Sequence, residues 1–300
     1  MISIIGSGLV GSSIAFLCAV NSLDDIVLLN RTKSKALGEA LDIANAIPKN
    51  SDITIKGTDD YSEISNSKLI VIAASTGIYL KSRNEMVEAQ VEMIKNIGKN
   101  IKEKCSSPLT LIVSNPVDVL TYYFQKETNL PRTKVMGIAS SLDTSRFRLQ
   151  LSKSLQIRNS QISDAIVLGE HGDSMVPIFS KVKINGDLGS KRIDPKIKDK
   201  VWSEIRDYWI ALRNYKSRSQ FGIAKNTFDV IEAITKNQEI SIPASVMLDG
   251  EYEEKDVCMG VPVTINENGI SKIQEIDLDQ SEQNLFKLSA NTIRENIKSI

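Results

Sequence analysis

The chain alternates short apolar runs with longer stretches in which apolar residues recur every three or four positions. "MISIIG" is a short apolar strand pattern, and residues 9–20 then place Ile14, Leu17 and Cys18 on one helical face. "DDIVLLN" (24–30) predicts a second strand, and residues 33–47 a helix stopped by Pro48. "DITIKGT" (52–58), "KLIVIAAS" (68–75) and "LTLIVSN" (109–115) predict further strands, the last two buried on both faces, with a long amphipathic helix over 83–104. Such alternation, with continuously apolar strands, predicts an α/β architecture: a parallel sheet covered by helices.

The pattern changes in the second half. "DAIVLG" (164–169) and "PIFSKVKING" (177–186) predict strands, the latter ending in an Asn-Gly turn. Residues 195–215 and 222–236 predict helices. "ISIPASVML" and "VPVTINENGISKIQEI" predict a sheet with a loop at "NENG", and a last helix starts near Gln280. This is an α+β unit following the first, and the expected division is 1–140 and 141–300. No low-complexity linker or repeat interrupts the chain, so one compact body is expected. The basic stretch 181–200 reads as a solvated surface.

Composition narrows the function classes. The 300 residues carry 37 basic and 37 acidic side chains, without the basic surplus of a nucleic-acid binder. Three scattered cysteines and one histidine argue against a disulfide framework and against a zinc site, so no metal is expected. No apolar run reaches the roughly 18 residues of a membrane helix. The opening residues lack the pattern of a signal peptide, and a cytoplasmic location is expected.

In "IIGSGLVGSSIA", Gly6, Gly8 and Gly11 lie between a strand and a helix. Glycines there let the backbone turn tightly and approach a pyrophosphate, which the helix N-terminus then binds. This strand–turn–helix context predicts a Rossmann-type doubly wound sheet, with Gly6, Ser7, Gly8, Leu9, Val10 and Gly11 around a dinucleotide. The second strand ends at Asn30, where NAD sites place an acid. Neutral Asn30, with Arg31, Thr32 and Ser34, would accept a 2′-phosphate, so NADP is expected in preference to NAD. The alternative is that Arg31 and Lys33 point into water while NAD binds.

Further polar groups need a joint explanation. "SNPVD" puts Asn115 at the end of a buried strand, "SLDTSRFR" places Asp143 and Arg146 on one helical face, and "KSRNEM" sets Arg83 before a helix. "GEHGD" holds His171, the only histidine. Each has a plain structural reading taken alone: a surface ion pair, a cap, a turn, a satisfied histidine.

In their order, "IIGSGLVG", "SNPVD", "LDTSRFR" and "GEHGDSMVP" resemble the malate/lactate dehydrogenase family, and the resemblance covers the whole chain. It implies that His171 is the general acid/base, oriented by Asp143, and that Arg146 grips the substrate carboxylate. It further implies that Arg83 polarises the substrate carbonyl on loop closure, and that Asn115 bonds the substrate oxygen or the nicotinamide side. Gln90 and Val113 would lie near the cofactor. The partner implied is a small 2-hydroxy or 2-oxo acid, and the assembly a homodimer or homotetramer. Trp202, Tyr208 and Trp209 could serve such an interface or the core.

The chain departs from the family where the substrate is chosen. Six positions before Arg83, where malate enzymes have arginine and lactate enzymes glutamine, stands Gly77. Tyr79 and Leu80 replace the loop's usual proline and glycine, and Lys81 is a substitute cation. Phe221 adds bulk across the pocket, and Gln90 stands where the family often has asparagine. "GIASSLD" is closer to the malate enzymes, so malate is the leading substrate, with pyruvate or another 2-oxo acid as the alternative. An NAD- and metal-dependent glycosidase or a non-catalytic dinucleotide sensor are the rival classes.

Overall fold

The computed structural model describes residues 1–76, 83–189 and 192–300. The first half forms six parallel strands: β1 (Ile2–Ile5), β2 (Ile26–Leu29), β3 (Ile55–Thr58), β4 (Leu69–Ile72), β5 (Leu109–Ile112) and β6 (Val135–Gly137). Between them run α1 (Leu9–Val20), α2 (Lys33–Ala44), α3 (Arg83–Lys104) and α4 (Val117–Thr128). The strand order is β3-β2-β1-β4-β5-β6, the doubly wound order, with its reversal between β1 and β4.

Side-chain alternation explains why these strands look continuously apolar. Ile2, Ile4, Leu28 and Val71 enter a core with α1 and α2, while Ile5, Val27, Leu29, Ile70 and Ile72 enter a second one with α3 and α4. Each face of the sheet is covered, so both parities are mostly apolar, and polar exceptions such as Ser3 and Thr110 are buried with their hydroxyls hydrogen-bonded.

The second half begins with α5 (Ser140–Leu155), followed by β7 (Ile162–Ser163), β8 (Val167–Leu168), β9 (Val176–Pro177), β10 (Lys183–Ile184) and β11 (Asp187–Leu188). Then come α6 (Pro195–Arg206), α7 (Tyr208–Arg213), α8 (Phe221–Thr235), β12 (Ile240–Asp249), β13 (Lys255–Asn266), β14 (Gly269–Ile273) and α9 (Gln280–Lys298). β12, β13 and β14 are antiparallel, and through Ser245 opposite Gly137 they extend the parallel sheet to nine strands. The later strands therefore continue the first sheet, which the sequence pattern did not anticipate.

Three other expectations change. The strand expected over 177–186 is two short pieces, β9 and β10; Ile178, Phe179 and Val182 leave the ladder to fill cores. The helix expected over 195–215 breaks at Asp207, which is paired with Arg206, and gives α6 and α7. The run 164–169 is strand only at Val167–Leu168.

Candidate active site

The parallel strands all point their carboxyl ends at one edge, and the residues singled out from the sequence follow those ends. The glycine turn follows β1, Asn30 follows β2, Val113 and Asn115 follow β5, and α5 carries Asp143 and Arg146 just beyond β6. This is where open α/β sheets hold ligands. A recess of about 560 Å³ lies at the opposite edge, lined by Asp24, Asn66, Lys68, Lys134 and Glu267 among others, and none of the site residues lines it.

The glycine turn is shaped for close approach. Gly6 has φ +105°, and a Cβ there would lie 2.6 Å from the Ala74 nitrogen. A Cβ on Gly11 would lie 1.9 Å from the Gly6 carbonyl oxygen, so α1 packs against the turn only with glycine at that position. A Cβ on Gly8 would meet nothing within 4 Å. Gly8 caps α1 with no side-chain hydrogen bond, and no acid occupies the helix's first turn. Ser7 is buried, Leu9 exposed and Val10 half-buried. The open space before an uncapped helix N-terminus fits a phosphate group.

Asn30 is tied to this turn. Its Nδ2 donates to Ser7 Oγ at 2.9 Å, and its Oδ1 accepts from the Thr32 amide at 3.0 Å. Arg31 is exposed and donates to the Thr76 carbonyl at 2.8 Å. Gln90 on α3 donates to Ser75 Oγ at 3.2 Å, while its Oε1 is buried without a partner. Val113 is half-buried, and Asn115 is exposed at the mouth of the β5–α4 connection.

The densest chemistry lies around one carboxylate. Asp143 is 1% exposed, and its Oδ2 stands 2.5 Å from His171 Nδ1. Its Oδ1 accepts from Arg146 Nη1 at 3.0 Å. A single buried carboxylate thus holds both the imidazole and a guanidinium. Burial disfavours the imidazolium, but the charge and hydrogen bond of Asp143 outweigh it, so His171 titrates above its ordinary range. Arg146 stacks on Tyr208 of α7, its Cζ 4.7 Å from the ring centre.

His171 is presented by the turn joining β8 to β9. Gly169, at φ +84°, pairs by two 2.9 Å backbone hydrogen bonds with Gly260 of β13. The Glu170 amide donates to Ser289 Oγ of α9, and the His171 amide donates to Asp118 Oδ2 at 2.8 Å. Glu170 accepts from Ser174 and Asn296, which turns its carboxylate away from catalysis and into the scaffold.

The structure therefore joins His171, Asp143 and Arg146 directly, and places Gly6 to Gly11, Asn30, Arg31, Gln90, Val113 and Asn115 along the same edge. Gly77, Tyr79, Leu80, Lys81 and the side chain of Arg83 lie outside the described residues. Phe221 is 68% exposed beneath the Lys216 ammonium. Trp202 packs against a core cluster, and Tyr208 supports Arg146. The sequence reading missed Asp118, the acid of "SNPVD", which is 4% exposed. Among the described residues no group of three or more His, Cys, Asp or Glu could hold a metal, and no helix is long and apolar enough to cross a membrane.

Residues 1–137 match the NAD binding domain of lactate/malate dehydrogenase, and residues 140–300 match the alpha/beta C-terminal domain of the same family. The chain belongs to the lactate/malate dehydrogenase family. It is an oxidoreductase of that NAD-binding family. A malate dehydrogenase of Pelagibacter ubique is 34% identical, with 98% of this chain and 94% of that one covered. An L-lactate dehydrogenase 1 of Staphylococcus aureus is 32% identical, over 97% and 94%. The solved lactate dehydrogenase of Cryptosporidium parvum, in complex with lactic acid and nicotinamide adenine dinucleotide, superposes with a TM-score of 0.93 at 32% identity, covering 99% of this chain and 96% of that one. Family and fold are thus fixed, and both substrate names occur among the relatives.

Proposed function

We propose that this chain interconverts malate and oxaloacetate with a nicotinamide cofactor, NADP in preference to NAD. The observation that carries the reading is Asp143, one buried carboxylate bonded to both the only imidazole and Arg146. In this reading residues 1–140 bind the dinucleotide and 141–300 complete the substrate site.

The nicotinamide, when bound, would supply the hydride to the substrate's C2 carbonyl carbon or accept it from the C2 of the hydroxy acid. His171, with Nδ1 on Asp143, carries the proton on its other ring nitrogen. It gives that proton to the carbonyl oxygen in reduction, and takes it from the hydroxyl in oxidation. Arg146 grips the substrate carboxylate through paired N–H donors, and Tyr208 beneath it fixes the plane of the guanidinium. Arg83 polarises the C2 carbonyl, and Asn115 orients the substrate oxygen or the nicotinamide side. The Gly6–Gly11 turn and the N-terminus of α1 hold the pyrophosphate, with Gln90 and Val113 beside the cofactor.

What supports NADP is the end of β2, where Asn30 offers no negative charge and Thr32, Ser34 and the start of α2 are exposed. What supports malate is "GIASSLD" (137–143), which runs from the end of β6 into the first turn of α5 and ends at Asp143, together with the Pelagibacter relative. The Staphylococcus relative favours a second reading, pyruvate and lactate. Gly77 stands at the sequence position where malate enzymes carry arginine and lactate enzymes glutamine, and it supplies neither side chain. Exposed Phe16, Leu37 and Leu41 on α1 and α2 support a homodimer or homotetramer. A cytoplasmic location completes the proposal.

The test is a grid of oxaloacetate and pyruvate, each with NADH and NADPH. The expected optimum is oxaloacetate with NADPH, and Asn30→Asp shifts preference toward NADH. Strong turnover of pyruvate but not oxaloacetate contradicts malate, and an unmoved cofactor ratio contradicts the role of Asn30.

A further inference from the structure

His171 touches two carboxylates, and only one lies on its ring. Asp118 stands in the first turn of α4, and its Oδ2 accepts the His171 main-chain amide at 2.8 Å across 53 residues of sequence. It is buried, and the ion pairs of the described residues do not include it. Its other oxygen, Oδ1, completes no hydrogen bond of good geometry, nor do the buried hydroxyls of Thr121, Ser140 and Ser245, although Ser245 lies close enough to Asp118 to favour its ionised form. Gly137 and Gly260 let the backbone approach these hydroxyls closely. A Cβ on Gly137 would lie 2.6 Å from Thr121 Oγ1, and one on Gly260 2.1 Å from Ser140 Oγ.

We infer that Asp118 is a positioning residue for the proton carrier: through the main chain it fixes the turn that presents His171, and its negative charge adds to that of Asp143 in favouring the imidazolium. This rests on the reading of His171 as acid/base, and deepens it. The groups facing Asp118 decide how it behaves. Burial pushes it up to about 6; the Ser245 hydroxyl, the His171 amide and the His171 charge oppose this, and the Glu170 carboxylate reinforces it. Burial of Cys258 on β13 beside Asp118 pushes that thiol up and leaves it uncharged. Near pH 7 and above, Asp118 is therefore an anion facing the proton carrier, and the carrier's own titration feels it. A neutral acceptor of the same shape would keep the amide hydrogen bond and lose the charge.

Asp118→Asn separates the two effects. Untagged protein has one histidine, so a single imidazole proton resonance reports the His171 pKa without assignment. The expected result in Asp118→Asn is a fall in that pKa by about half a unit or more. The kcat/KM profile for oxo-acid reduction should move to lower pH by the same amount, with cofactor Kd unchanged. Ser245→Ala removes a hydroxyl that favours ionised Asp118, and should move the His171 pKa in the same direction by less. An unmoved His171 pKa in folded Asp118→Asn overturns the inference; if that variant does not fold, an unmoved pKa in Ser245→Ala does so. Absence of turnover with any oxo acid would defeat the proposed reaction instead, and the resonance would still decide the coupling.

Discussion

Replacing Asp143 by Asn tests the arrangement at its centre. The carboxylate accepts on both oxygens, from His171 Nδ1 on one and Arg146 Nη1 on the other. An amide accepts on one side and donates on the other. Whichever way the new amide turns, its NH2 faces either the imidazole or the guanidinium. Facing the imidazole, it demands the wrong tautomer; facing Arg146, it sets donor against donor. The lost charge-assisted hydrogen bond is worth about 1.5–3 kcal/mol. Stranding a group that is 11% or 17% exposed brings the total to about 3–5 kcal/mol. At 1.4 kcal/mol per decade this is roughly a 10²- to 4 × 10³-fold loss of kcat/KM. The His171 pKa should fall as well, because Asp143 is what raises it. Steady-state reduction of the best oxo acid across pH, with the imidazole resonance followed in parallel, measures both. Turnover within a few-fold of the parent and an unmoved His171 pKa would refute the role of Asp143.

The remaining expectations concern the support around this centre. Tyr208→Ala removes the ring under Arg146 and should raise KM for the oxo acid by about 3- to 30-fold, with dinucleotide affinity unchanged, since a cation–π contact of this kind is worth roughly 0.5–2 kcal/mol; an unaltered KM counts against it. Gly11→Ala drives a Cβ into the Gly6 carbonyl and should cost about 1–3 kcal/mol of stability together with dinucleotide binding, both read by thermal melts with and without cofactor. Glu251 is buried enough to resist ionisation, yet bidentate pairing with Arg132 and the Asp249 amide lower its pKa to about 2. A depressed carboxylate stabilises above its unfolded value of about 4.3, and that stability is lost as pH falls through about 2. Glu251→Gln should therefore cost about 1–2 kcal/mol at pH 7 and much less near pH 2; an equal cost at both contradicts the pairing.

The parallel half of the fold was legible because burial on both faces leaves strands such as "LIVI" no polar position. α4 was not legible. Val117, Asp118, Val119, Leu120 and Thr121 are all buried in succession, so the helix shows no single apolar stripe. The break at Asp207 was hidden because neither glycine nor proline marks it. The continuation of the sheet through Gly137 and Ser245 rests on one pairing between distant segments, which periodicity cannot express. The same holds at the site. Asp143 and Arg146 lie three apart on α5, and the sequence brings them together. The reach of Asp118 to the His171 amide is a contact of the folded chain alone, and its only local trace is an acid in the first turn of a helix.

The proposed reaction turns most directly on His171. His171→Asn should reduce turnover of the best oxo acid by about 10³-fold or more, because the proton donor is lost. Fluorescence titration should show the nicotinamide dinucleotide still binding with near-parent affinity, because Gly6, Gly8 and Gly11 are untouched. Turnover within about ten-fold of the parent, with binding intact, would contradict the assignment of the chain's only imidazole as its proton carrier.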